Sequence, residues 1–278
     1  MKKNYLLLGL LIVLLIPSLA LGGDIKLSQD LKAKAFVVKS EKDGLWEKSL
    51  IVRFPERRRS LSTTNGFIDA MAVVNHSAHP ELWRELCEKM KTKEEVGGKI
   101  YTRKIKENIA GNLGVRSEDI AQMATAADMD NLAIVTKTHK PFIVAALVTA
   151  GARSNALRTG VDEGRHIEGE KQGGTVNIIV LTNARLTDGA MARVIITATE
   201  AKTAAFEDLK VPSTYTKDVQ ATGTGTDNVI VVSGTSERLV TYTGGHSKMG
   251  ELIGKAVHEA VLEALIKQNG FKKAKADR

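Results

Sequence analysis

The stretch QATGTGTDNVIVVSGTSERLVTYTGGHSKMGELIG, Gln220 to Gly254, decides how the rest of the chain is read. A short apolar run, Asn228 to Val232, is bracketed by two Gly/Thr-rich loops. The second loop, Tyr242 to His246, opens directly into a long amphipathic segment. Glycine lacks a Cβ and lets ligand atoms approach backbone N–H groups, while threonine hydroxyls add donors and acceptors at the sides. A strand ending in such a loop, followed by a helix N-terminus, suits polar or anionic groups. The stretch therefore reads as strand, loop and helix, and as the floor of a binding or catalytic site.

The same grammar recurs upstream. Leu132–Thr136, Phe142–Thr149 and Thr175–Leu181 are apolar, β-branched runs of the kind buried strands carry, and the third holds Asn177 in its interior. The second ends in another loop of small polar residues, Ala150 to Ala156. Asp188–Asp208 places Met191, Val194, Ile195, Ala198 and Ala205 on one helical face. The closing helix does the same with Met249, Leu252, Ile253, Ala256, Val257 and Ala260, and Asn269-Gly270 ends it. Nearer the N-terminus, Lys34–Val38 and Ser49–Phe54 read as strands around the turn signal Lys42-Asp43-Gly44. Pro80 opens a helix to about Lys91, Thr92–Gly98 is a charged linker, and Ser117-Glu118-Asp119 predicts a further helix through Met123 towards Ala127. Alternating strands and helices predict an α/β (or α+β) layered single domain, a mixed sheet with helices packed on it, with ligands at strand ends.

Residues 1–23 have the parts of an export signal: Lys2-Lys3, an apolar run from Leu6 to Ile16, and small residues Ala20 and Gly22 at cleavage spacing. The expectation is an exported, periplasmic protein whose mature domain is 24–278 with a basic C-terminal tail; the alternative is an N-terminal membrane anchor, for which the run is short. Cys87 is the single cysteine, so no intramolecular disulfide exists, and its setting in ELWRELCEKM reads as a half-buried helix position. Net charge is +8, two of it in Lys2 and Lys3, with clusters at Arg57-Arg58-Arg59 and Lys272-Lys273-Lys275. Aromatic residues make up only 4% and do not interleave with a basic stripe, which argues against nucleic acid and leaves room for an anionic small molecule.

Four stretches in this order carry a resemblance: Met123–Asp128; Val148–Ala156; Gly174–Val180 running on to Thr197–Lys202; and Ala221–Asp227 with Tyr242–His246 and Gly250–Gly254. Ser62–Gly66 and Asn75 add an opening segment. Together they resemble the adenosylcobinamide amidohydrolases of corrinoid salvage, over about Ser60 to Leu265. The resemblance implies hydrolysis of the amide that joins a propionyl side chain of the corrin ring to aminopropanol, giving adenosylcobyric acid. The corrinoid is then substrate, and no cofactor is implied. An export signal, a charged insert around Asp162–Lys171 and a second glycine in Tyr242–His246 depart from the family pattern. An exported enzyme would meet cobinamide before intracellular adenosylation.

Amide hydrolysis needs a nucleophile, a base, oxyanion donors and an acid for the leaving amine. His246, in a glycine loop before a helix, is a candidate base or a surface residue capping that helix. Glu200 is a candidate carboxylate or half of a solvated pair beside Lys202, and Asp227 is a candidate base or a turn-capping residue. Asn155 and Asn177 are candidate oxyanion donors, and Thr125, Ser154 and Thr222 are unranked hydroxyl nucleophiles. Thr199, Lys202, Gly223 and Gly225 complete the expected substrate-binding set. No metal is expected: His76-x-x-His79 is the one close histidine pair and reads as a loop before proline. Two other classes remain open, an exported corrinoid carrier without chemistry and a general small-amide hydrolase.

Overall fold

The structure, a computed structural model, describes residues 20–164 and 175–273. In chain order its elements are β1 (Ala20–Ile25), β2 (Lys34–Lys42), β3 (Leu45–Ser62), β4 (Gly66–Ala78), α1 (Pro80–Met90), α2 (Gly97–Leu113), β5 (Ile120–Thr125), β6 (Ala133–His139), β7 (Phe142–Ala150), β8 (Ala156–Leu157), β9 (Val176–Thr182), β10 (Arg185–Leu186), α3 (Asp188–Asp208), β11 (Gly223–Thr224), β12 (Asn228–Val232), β13 (Leu239–Val240) and α4 (Lys248–Asn269). The expected leader lies outside the described residues except for its last four positions, the first four of β1. The basic tail is described only to residue 273.

The 18-residue strand β3 organises the sheet. Its first half pairs with β2 on one side and β4 on the other; its second half pairs with β4 and β12. The switch falls where the β3–β4 register slips between Arg53 and Arg58. Pro55 stands in that slip, and a residue without an N–H is tolerated in a sheet where the ladder is already broken. From there the order runs β1-β2-β3-β12-β9-β7-β6, with β4 and β5 branching from β3. β12 lies parallel to β9, and β4 parallel to β5, while the other pairs of this sheet are antiparallel. The mixed, curled sheet bears out the predicted layered class.

Alternation along each strand sorts the core into three. Leu50, Val52, Val73, Leu147, Ile179 and Ile230 fill the inside of the curl. On the outer face of β7, β9 and β12, Val144, Ile178 and Val231 meet the apolar faces of α3 and α4. On the outer face of β3 and β4, Ile51 and Val74 meet Tyr101, Ile105 and Ile109 of α2. The three adjacent arginines take three fates. Arg57 bonds Asp119 and Arg59 bonds Asp188, both at the surface. Arg58 is 2% exposed and donates to the carbonyls of Ser233, Leu31 and Thr182. It stoppers the end of the curl where β9 and β12 finish, and burial lowers its pKa to about 10.

One predicted element is corrected. Residues 117–127 are not a helix: Ser117–Asp119 form a single 3₁₀ turn, and Ile120–Thr125 form β5, which pairs in parallel with β4. Helix α2, which follows the predicted linker, was not anticipated. Cys87 is buried against the start of α2, where a Cβ on Gly97 would overlap the Cys87 carbonyl.

Candidate active site

At one lip of the curl β9 and β12 begin while β4, β5 and β7 end. Here the inward-facing residues change from apolar to polar: Asn75 follows Val73, Thr149 follows Leu147, and Asn177 and Asn228 precede Ile179 and Ile230. Asn177 is fully buried and donates to Asn75 Oδ1 at 2.8 Å and to the Ala124 carbonyl at 2.9 Å. Its Oδ1 accepts from Asn228 Nδ2 at 3.4 Å, and the Thr175 hydroxyl beside it donates to the Thr226 carbonyl at 2.5 Å. Asn75 in turn donates to Thr149 Oγ1 at 2.9 Å. Both hydrogens of the Asn177 amide are thereby used. Asn177 ties five strand ends together, and neither of its N–H groups is left over for an oxyanion.

The Gly/Thr loop is held against this lip by Asp227. Its Oδ1 accepts from Val176 N at 2.9 Å and Thr224 Oγ1 at 2.5 Å; its Oδ2 accepts from Thr224 N at 3.0 Å and from Lys202 Nζ of α3. Four donors occupy the lone pairs a base would use, so the carboxylate is a clasp. Gly223 makes the clasp possible, because a Cβ there would collide with Lys202 Nζ and Asp227 Oδ2. Gly225 N donates to the Asn155 carbonyl at 3.2 Å, and Asn155 Oδ1 accepts from Tyr215 at 2.6 Å. Thr222 Oγ1 accepts from Thr159 N, and Thr125 Oγ1 from Ala127 N, both at 3.0 Å.

Beside this lip lies an open cleft of about 610 Å³. Its floor is Gln122, Met123 and Ala124 of β5, its rim Thr64, Asn65 and Asn228, and its wall Lys99, Thr102, Arg103 and Lys106 of α2. Asn228 Oδ1 accepts from Thr63 and Thr64 at 3.2 Å, and Asn65 Oδ1 accepts from Gln122 N at 3.3 Å, so the rim is hydrogen-bonded to the floor and to the Asn177 network. Arg103 is engaged bidentately by Glu95 at 2.8 and 2.9 Å. Burial holds the Lys106 ammonium below its ordinary pKa, with Glu118 opposing.

The expected site residues are thus only partly gathered. Asn155, Asn177, Lys202, Thr222, Gly223, Gly225 and Asp227 converge on one hydrogen-bonded region at the lip, and Thr125 stands at the end of β5 nearby. Ser154 is exposed in its loop, and Thr199 and Glu200 are exposed on α3. His246 is exposed past the far end of β12, which at five residues spans about 16 Å. Its ring lies 5.1 Å from that of Tyr242, and the helix cap is Ser247, whose side chain accepts from Gly250 N. No hydrogen bond among the described residues joins His246, Glu200 and Asp227. The α2 wall was missed because α2 itself was missed; cations at i, i+4 and i+7 are the signal that would have found it.

His76 is not in a loop but in β4, in a second buried chain. A carboxylate only accepts, so Tyr101 donates to Glu47. Tyr101 oxygen is then left to accept from His76 Nε2 at 2.8 Å, and His76 Nδ1 accepts from Ser49 at 2.8 Å. Burial lowers the His76 pKa to about 4, which makes it a poor base at neutral pH. His79 caps α1 instead, and no cluster of three metal-ligating side chains exists among the described residues.

Comparison with known proteins matches this chain to a named group. The profile of the adenosylcobinamide amidohydrolase family matches residues 34–273. The chain is 45% identical over 249 residues to the uncharacterized protein MJ1613 of Methanocaldococcus jannaschii, covering 84% of this chain and 92% of that protein. It is 30% identical over 152 residues to an adenosylcobinamide amidohydrolase of Methanosarcina mazei, covering 51% of this chain and 64% of that one. Among solved structures, the PH0078 protein of Pyrococcus horikoshii OT3 aligns over 90% of each chain at 12% identity and a TM-score of 0.44. With the family profile spanning β2 to the end of α4, the chain belongs to the adenosylcobinamide amidohydrolase family.

Proposed function

We propose that this protein hydrolyses the amide between aminopropanol and the corrin ring of cobinamide or adenosylcobinamide, releasing the amine and leaving a carboxylate on the ring. The observation that carries the reading is a convergence. Two segments that resemble the family, around Thr64 and Met123, lie far apart in sequence and meet at the cleft between β5 and α2, together with Asn228, which directly follows a third, Ala221–Asp227. Its rim of amides and hydroxyls suits a ligand edged with amide groups, and the polar lip behind it holds the rim in place. The corrinoid is substrate rather than cofactor. With an export signal at residues 1–23, the encounter takes place outside the cytoplasm, and the form met first is cobinamide without its adenosyl ligand.

Filling the cleft tests the location. Thr102→Trp, on the α2 wall, is expected to lower turnover of cobinamide at least tenfold with little change in melting temperature. His246→Ala and Glu200→Gln are the controls, and each is expected to retain turnover within about twofold. Loss of turnover in either control, with Thr102→Trp active, would move the chemistry to the outer face of α3 and α4.

A further inference from the structure

The cleft carries a charge that its proposed substrate does not call for. The scissile amide is neutral, yet Lys99 and Lys106, two turns apart on α2, both line the cleft and form no ion pair among the described residues. The third cation, Arg103, is neutralised by Glu95. Gln122 lines the same cleft and is 8% exposed, and its Nε2 is buried with no hydrogen-bond partner among the described residues. A buried amide donor without an acceptor is costly and uncommon in a folded protein. Half-burial of Lys106 adds a second such cost, since desolvation disfavours its charge. One ligand feature relieves both: an anionic oxygen between the lysines and the Gln122 amide.

We infer that the floor and wall of this cleft form a carboxylate subsite, in which Gln122, Lys99 and Lys106 hold the carboxylate that amide hydrolysis leaves on the corrin ring. This rests on the function proposed above and adds to it a preference for product over substrate. Amide and acid differ by one charge at one position, so the subsite discriminates between them through charge-assisted hydrogen bonds that the amide cannot match. Product is retained at low ionic strength, and turnover slows as it accumulates.

The test is equilibrium binding of cobyric acid and of cobinamide to the full chain at two salt concentrations. Turnover of cobinamide is measured in parallel. Wild type is expected to bind cobyric acid at least about tenfold more tightly than cobinamide. The difference should shrink at high salt and disappear in Lys99→Met/Lys106→Met. Gln122→Leu, which removes the donor while keeping the bulk, should weaken cobyric acid alone. Equal affinities in wild type, or a preference that survives in the double variant, overturns the subsite even when cobinamide is turned over. If neither corrinoid binds, thermal stabilisation by propionate separates the two ideas. Stabilisation of wild type but not of the double variant keeps the carboxylate subsite and removes the corrinoid, and its absence removes both.

Discussion

Replacing Asp227 by asparagine is expected to cost roughly 3–5 kcal/mol of stability, the range for removing one partner of a buried ion pair. Asp227 and Lys202 side chains are 14% and 11% exposed, so the lysine left behind has little access to water. An asparagine would also turn an N–H₂ group towards Lys202 Nζ and Thr224 N, which are themselves donors. Lys202→Met should cost less, because the carboxylate keeps Val176 N and both Thr224 donors. The double variant should recover part of the Asp227→Asn loss, the sign of direct coupling. Urea unfolding of the four proteins measures this as midpoint shifts at constant slope. A wild-type midpoint in Asp227→Asn would mean that the clasp does not hold the loop.

Between pH 7 and pH 4 the fold is expected to lose about 3 kcal/mol through one side chain, His76. The ordinary imidazole value is 6.5 and the folded value is about 4, lowered by complete burial. The unfolded chain therefore takes up a proton that the folded chain refuses. Stability from this group is full above about pH 6.5, falls as pH drops towards 4, and changes no further below that. Asp119, held at about 2 by Arg116 and Arg57, has its window lower, below its ordinary carboxylate value, so the two effects separate. His76→Leu should be less stable at pH 7, since Ser49 and Tyr101 lose their partner, yet its stability should be flatter from pH 6.5 to 4.5. A wild-type protein with level stability across that interval would contradict the account.

Local pattern accounts for what was legible. Helix α3 begins and ends where its periodic face does, at Asp188 and Asp208, and the strand Asn228–Val232 has the predicted limits, because both carry their signals within themselves. Residues 117–127 misled because Ser-Glu-Asp is a good helix start, while the parallel pairing with β4 that makes a strand of the following residues is a long-range contact. The branch at β3 is equally invisible: Pro55 announces a break, but not which neighbour takes over. At the site, the sequence marks Asn177 as purposeful without saying that its purpose is to join strand ends. It marks Asp227 without revealing the four donors around it. The cleft needed α2, whose polar face and Gly-Gly start give a weak helical signal.

The most direct measurement is incubation of the purified chain with cobinamide, and separately with adenosylcobinamide, followed by mass spectrometry of the corrinoids. The account predicts cobyric acid or its adenosyl form together with free aminopropanol, both formed at least tenfold more slowly by Thr102→Trp. Corrinoid bound tightly and recovered intact would contradict it and make the protein a carrier.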